Sequence, residues 1–170
     1  MFEIGDYIIY GNHGVCRVED IGALDIPGVD QSMECYTLQP VFSKSSTLYT
    51  PVDNEKVLMR SVITSEEARE LIDEIPNTSL LIIDNDKQRE EAYKLALRTH
   101  DCNQWLMIIK TLYERKQERM TQGKKLTFTD EKYLSIAQEC LYGELSIALD
   151  TDIEKIESMV MEQLELTNMV

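Results

Sequence analysis

The rhythm of apolar and polar positions in this chain changes once, near residue 64. Between residues 7 and 57 it consists of short β-rich runs broken by turn residues, with no helical period. Residues 7–10 form a β-prone run, residues 15–21 alternate apolar and polar, and Pro27-Gly28 marks a turn. Residues 33–38 and 47–52 predict two further strands, with Lys44-Ser45-Ser46 as their connection. Several short strands in so small a span predict a strongly bent sheet or barrel of the SH3 or Tudor type, a module that usually binds a partner.

From residue 64 onward the period is helical. Thr64 and Glu67 form a capping box for a helix that runs to Ile75 and stops at Pro76. The next stretch, NTSLLIIDND, is a connector whose apolar middle, Leu80 to Ile83, is expected to be buried. Residues 87–98 then predict a helix with Lys87, Glu91, Lys94 and Arg98 on one face and Ala92, Tyr93 and Ala96 on another. After a break at His100-Asp101-Cys102-Asn103, Trp105, Ile108, Ile109 and Leu112 keep the i, i+3, i+4, i+7 spacing of a buried face. Continued by four and seven residues, that face reaches Lys116 and Arg119, so it begins in a core and ends as exposed charge. Gln122-Gly123-Lys124-Lys125 is a basic turn. Thr127 with Asp130 opens another helix, carrying Leu134, Ala137, Leu141, Leu145 and Ala148 as its stripe, with Gly143 admitting a close neighbour. Thr151 and Glu154 suggest a last capping box for a helix built on Ile153, Ile156, Val160 and Leu164. About five helical elements in one bundle follow from this pattern.

Composition adds a charge argument. The net charge of −14 on 170 residues opposes general nucleic-acid coating. The average hides a segregated distribution, because residues 86–125 carry 10 basic and 6 acidic side chains while residues 126–170 carry 2 and 10. The acidic last helix reads as a solvated face, with screening of the basic window as the competing idea. The amino terminus has no basic stretch followed by a long apolar one, and no run approaches a membrane span, which suggests a cytoplasmic protein without membrane attachment.

Candidate chemistry is sparse. The 4 cysteines have no zinc-finger spacing and suit reduced thiols. His13 and Cys16 could be taken for a base and a thiolate, but His13-Gly14 also fits a turn between strands. His100 and Cys102 lack two further ligands nearby for a metal. No catalytic residue, metal, cofactor or small-molecule substrate is therefore expected. The basic window has two readings, cations that track phosphates or solvated helix faces with i, i+4 ion pairs.

The opening run F-x-x-G-D-x-x-x-Y-x-x-H-G, here Phe2, Gly5, Asp6, Tyr10, His13 and Gly14, is followed by a β-module and a helical portion. With Tyr36 to Leu38, Pro51-Val52, Tyr113-Glu114-Arg115, Gln117-Glu118-Arg119 and Leu141-Tyr142-Gly143-Glu144-Leu145, it resembles the CarD/CdnL family of bacterial transcription regulators over nearly the whole chain. The first module alone also resembles the polymerase-binding domain of transcription-repair coupling factors, but no P-loop of a helicase occurs here. The resemblance implies an amino-terminal Tudor-like domain that binds the β subunit of RNA polymerase. It also implies a helical domain that contacts promoter DNA near the upstream edge of the transcription bubble. Arg89 and Lys132 match basic positions of that helical domain. Two positions depart from the pattern. Asp86 stands where many members carry a Trp used as a wedge in the DNA minor groove, and Tyr49 stands where an Arg is common on the polymerase-facing strand.

The expected protein is thus α+β, a small SH3/Tudor-like β-barrel module over residues 1–63 followed by an all-α domain over 64–170. Its expected DNA-contacting residues are Lys87, Arg89, Lys94, Arg98, Lys110, Arg115, Lys116, Arg119, Lys124, Lys125 and Lys132. The expected partner strand is Thr47, Leu48, Tyr49, Thr50 and Pro51, meeting the RNA polymerase β subunit along an open edge. The alternative is an adaptor that binds polymerase or another protein and has lost contact with DNA.

Overall fold

The computed structural model describes residues 1–43 and 46–167. Lys44 and Ser45, two residues of the expected connection between the third and fourth strands, lie outside the described residues. The chain divides into two compact units, Met1–Val62 and Ile63–Val170.

The first unit is a five-stranded antiparallel sheet. Its strands are β1 (Tyr7–Tyr10), β2 (Val15–Ala23), β3 (Glu34–Pro40), β4 (Leu48–Pro51) and β5 (Met59–Ser61), in the order β4-β3-β2-β1-β5. The fifth strand, Met-Arg-Ser, is too short to show an alternation and is absent from the sequence expectation. Along β2 the pairing with β3 shifts between Val18 and Asp20, a bulge that bends the strand beyond the part it shares with β1. Ile8, Tyr10, Cys16, Val18, Tyr36 and Leu38 form the core, closed by Phe2, Leu48, Val52 and Val57 among others.

The opening sequence run holds this core shut. The Phe2 N–H donates to the Tyr36 hydroxyl at 3.0 Å, and the Gly5 N–H to the Val18 carbonyl at 2.8 Å. Asp6 Oδ2 accepts from the Glu3 N–H at 2.8 Å. Between β1 and β2 a 3-10 turn, Gly11–His13, stacks the His13 ring on Tyr10 at 5.5 Å. Gly11 has φ +48°, and a Cβ there would sit 2.7 Å from Val57 Cγ1, so the turn needs glycine twice over.

The second unit has five helices: α1 (Ser65–Asp73), α2 (Arg89–Arg98), α3 (Cys102–Thr121), α4 (Phe128–Ala148) and α5 (Ile153–Thr167). Both halves of the Thr64–Glu67 capping box are formed. Asp101 caps α3, and Thr127 caps α4 by accepting from the Asp130 N–H. At α5 the first-turn carbonyl belongs to Asp152, which accepts from Lys155 and Ile156, so Asp152 rather than Thr151 stands directly before the helix. α3 packs on α4, α2 on both, and α1 and α5 pack on α4 and on each other. Trp105, Ile108, Ile109 and Leu112 are at most 1% exposed; burial of each aliphatic member contributes on the order of 2 kcal/mol.

The connector between α1 and α2 corrects the expectation of a buried Leu80–Ile83 run. Its side chains alternate, as along an extended backbone: Leu80 is 40% and Ile82 90% exposed, while Leu81 and Ile83 are partly buried. The Leu81 N–H donates to Thr111 Oγ1 at 2.9 Å, which fixes which residues face α3.

Candidate functional site

The buried stripe of α3 does end as charge. Lys116 is exposed and Arg119 half-buried, and Arg119 Nε donates to the Lys125 carbonyl at 2.7 Å. That bond folds the α3–α4 loop back on the helix end. Gly123, at φ +72°, makes the reversal, with the Lys124 N–H returning to the Arg119 carbonyl at 2.9 Å. Lys124 and Lys125 are consequently exposed on the loop tied to Arg119. Lys132, one turn into α4, lies over the Tyr133 ring at 5.3 Å from its centroid.

Lys110 is a correction. It is 4% exposed, and its Nζ donates to the carbonyls of Ile75, Pro76 and Thr78 at 2.9, 3.0 and 2.7 Å. Burial holds its pKa below the ordinary lysine value, against the opposing charge of Glu114. This ammonium closes the carbonyl ends of the 3-10 turn Ile75–Asn77 and offers nothing to a phosphate. The signal available in the sequence is its place one turn after Leu106, inside an apolar run.

A second group of cations is a pair, Arg89 of α2 and Arg115 of α3, organised around Asp130 of α4. Asp130 is 1% exposed, and its carboxylate accepts from Arg115 Nε at 2.7 Å and from the Tyr93 hydroxyl at 2.8 Å. Burial alone would raise the Asp130 pKa, but the bonds from Arg115 and Tyr93 outweigh it and hold the carboxyl below its ordinary value. The Tyr93 hydroxyl in turn accepts from Arg89 NH1 at 3.0 Å. Burial first, then the bond to Asp130, pushes Tyr93 up to about 12. Arg89 Nε pairs with Asp86 at 2.9 Å, and Arg115 NH2 lies 3.9 Å from the same Asp86 oxygen. Arg89 and Arg115 are therefore held as a pair, each less than a fifth exposed.

Of the remaining expected cations, Lys94 and Arg98 lie on α2 and Lys87 just ahead of it. Lys94 pairs with Glu90 at 3.1 Å and Arg98 with Glu91 at 3.8 Å, while Lys87 is exposed on the 3-10 turn Asp86–Gln88. The window thus separates into an exposed α3–α4 group, an internally braced Arg89–Arg115 pair, a self-paired α2 face and one buried lysine.

In the first unit, β4 is an edge strand whose residues alternate. Tyr49 is 47% exposed, whereas Thr50 is 2% exposed and Leu48 leans on the core. Thr50 is a correction to the partner strand, since its register opposite Tyr36 turns its side chain inward. Thr47 Oγ1 donates to Gln39 Oε1 at 3.1 Å, and Pro51 ends the strand half-buried. What β4 offers outward is its backbone, Tyr49 and the rims of Thr47 and Pro51.

The thiol candidates carry no chemistry of the kind considered. Cys16 is buried in the sheet core, and burial pushes it up to about 11, the opposite of an activated thiolate. Cys102 Sγ donates to the buried Glu144 carboxylate at 3.2 Å, and the other oxygen of Glu144 accepts from the Ile63 N–H at 2.9 Å. Among the described residues no cluster of three potential metal ligands occurs, and no helix is long and apolar enough to cross a membrane.

Comparison with known families gives two matches, in chain order. Residues 2–63 match the CarD-like/TRCF RID domain, and residues 79–161 match the CarD C-terminal domain. Between them they cover most of the chain.

Proposed function

The chain belongs to the CarD-like family of RNA-polymerase-interacting transcription factors, and from that premise we propose that it binds the polymerase β subunit through the β4 edge and acts on promoter open-complex stability through its helical unit. The family's two domains are regulatory rather than enzymatic. The protein works beside the polymerase in the cytoplasm, its sheet unit docking and its helical unit meeting upstream promoter DNA.

The observation that carries the DNA half is the group at the end of α3, exposed Lys116, Lys124 and Lys125 with half-buried Arg119, whose bond to the Lys125 carbonyl holds the loop against the helix end. Cations presented this way follow a phosphate backbone without reading bases. Charge reversal of Lys116, Arg119 and Lys125 together is expected to shorten promoter-complex lifetime; an unchanged lifetime would remove the DNA role. For the polymerase half, Tyr49→Glu is expected to abolish capture of the isolated β lobe, and full capture by that variant would move the interface off β4.

One observation favours the adaptor reading, in which polymerase binding remains without DNA contact. The Asp86 carboxylate is 83% exposed, at the position to which the sequence resemblance assigns the apolar wedge of many members. Affinity for a promoter complex measured against salt separates the two, because DNA contact gives a steep dependence and an adaptor a shallow one.

A further inference from the structure

Asp86 stands just ahead of α2 on a turn capped by Asn85, whose side chain accepts from the Gln88 N–H at 3.2 Å. A carboxylate near a helix N-terminus is locally favourable. That alone does not explain its two guanidinium neighbours, Arg89 Nε at 2.9 Å and Arg115 NH2 at 3.9 Å from the same oxygen. These cations come from different helices and are braced from behind, Arg89 by Tyr93 and Arg115 by Asp130. The exposed member of the trio is the anion, with its side chain 83% accessible against 19% and 18% for the two arginines. Two pre-oriented guanidiniums converging on one oxygen are the chemistry that holds a phosphate.

We propose that Arg89 and Arg115 form a site for one DNA backbone phosphate, and that Asp86 fills it as an internal competitor until DNA displaces the carboxylate. The idea rests on the reading that the helical unit meets promoter DNA. Asp86, Arg89, Arg115 and Asp130 together carry no net charge, so DNA gains little from approaching the closed site. With the Asp86 charge removed, the same residues present a net positive site whose two cations are already oriented.

The test uses the full chain, a fluorescent upstream-promoter duplex and a salt series, with wild type, D86N, D86S and D86N/R89Q. Removal of the carboxylate is expected to tighten duplex binding on the order of tenfold and to steepen the salt slope by about one. R89Q added to D86N is expected to return both to wild-type values. In parallel, inorganic phosphate is titrated while the arginine Nε–Hε signals are followed, and those of Arg89 and Arg115 should respond at lower phosphate in D86N than in wild type. If K124E/K125E weakens duplex binding while D86N and D86S leave affinity and slope unchanged, the DNA reading stands and the competitor role is overturned. If neither wild type nor D86N binds the duplex, the DNA reading falls and takes the proposed ligand with it, even where phosphate moves the arginine signals. Tighter binding of D86N to polymerase without DNA would overturn it in favour of an acidic protein partner.

Discussion

Arg115 Nε donates to Asp130 Oδ2 at 2.7 Å, joining the middle of α3 to the first turn of α4 through a carboxylate whose side chain is 2% exposed. Because Tyr93 of α2 donates to the other oxygen, three helices meet on one buried anion. Removing the arginine alone leaves that charge without its main partner. Arg115→Met is expected to cost about 3 kcal/mol, seen as a lower denaturant midpoint. The double variant R115M/D130L should recover much of the loss, since replacing both members removes the stranded charge. Equal midpoints for R115M and wild type would show that the contact contributes nothing.

The same carboxylate sets an acid limb. Its pKa is held below the ordinary 3.8 when folded, so the folded state binds its proton less readily than the unfolded chain. Its contribution is complete above the unfolded value and is lost as pH falls through the folded one. R115M is expected to flatten stability against pH below about 4 relative to wild type, as followed by thermal melting.

The alkaline limb has the opposite sign. Burial raises Tyr93 and Tyr142 to about 12 and Cys16 and Cys140 to about 11, so the unfolded chain loses these protons first. Stability is expected to fall steadily as pH rises from about 9 through 12. Y93F should remove part of that slope, measured by urea midpoints across the range.

Lys110→Met is expected to cost roughly 3 kcal/mol, because three carbonyls lose a charged donor. It should leave the salt dependence of promoter-complex binding unchanged. A changed slope with wild-type stability would return Lys110 to the surface set.

Gly11→Ala combines a positive φ with a Cβ 2.7 Å from Val57 Cγ1, and is expected to cost roughly 1–3 kcal/mol. V57A on the same background should recover the steric part and leave the backbone part. Thermal melting of the single and double variants separates the two.

Most of this fold was legible where one physical signal dominated. The Trp105 stripe, the Thr64 and Thr127 caps and the first strand all rest on spacing or on side chains that satisfy nearby backbone groups. The failures share a cause, which is that neighbours distant in sequence decided them. Four consecutive aliphatics at Leu80 to Ile83 looked buried as a block, but an extended backbone pinned by Thr111 exposes alternate members. Ile82→Ser is therefore expected to change stability by no more than about 0.5 kcal/mol. Lys110 counted as a surface charge until carbonyls more than 30 residues upstream took its donors. Arg89 and Arg115 are 26 positions apart, and nothing in the sequence shows that α2 and α3 aim them at one oxygen.

The Lys110 ammonium and the Leu81–Thr111 bond also determine how the irregular segment after α1 opens. A stretch without regular structure would ordinarily exchange its amide hydrogens through small local fluctuations. Here detachment breaks three bonds from a charged donor as well as the Leu81–Thr111 bond, so the segment opens less readily than its irregular backbone suggests. The Leu81 amide is therefore expected to exchange more slowly than those of its exposed neighbours Leu80 and Ile82, and the connector to move with α3 rather than as a hinge.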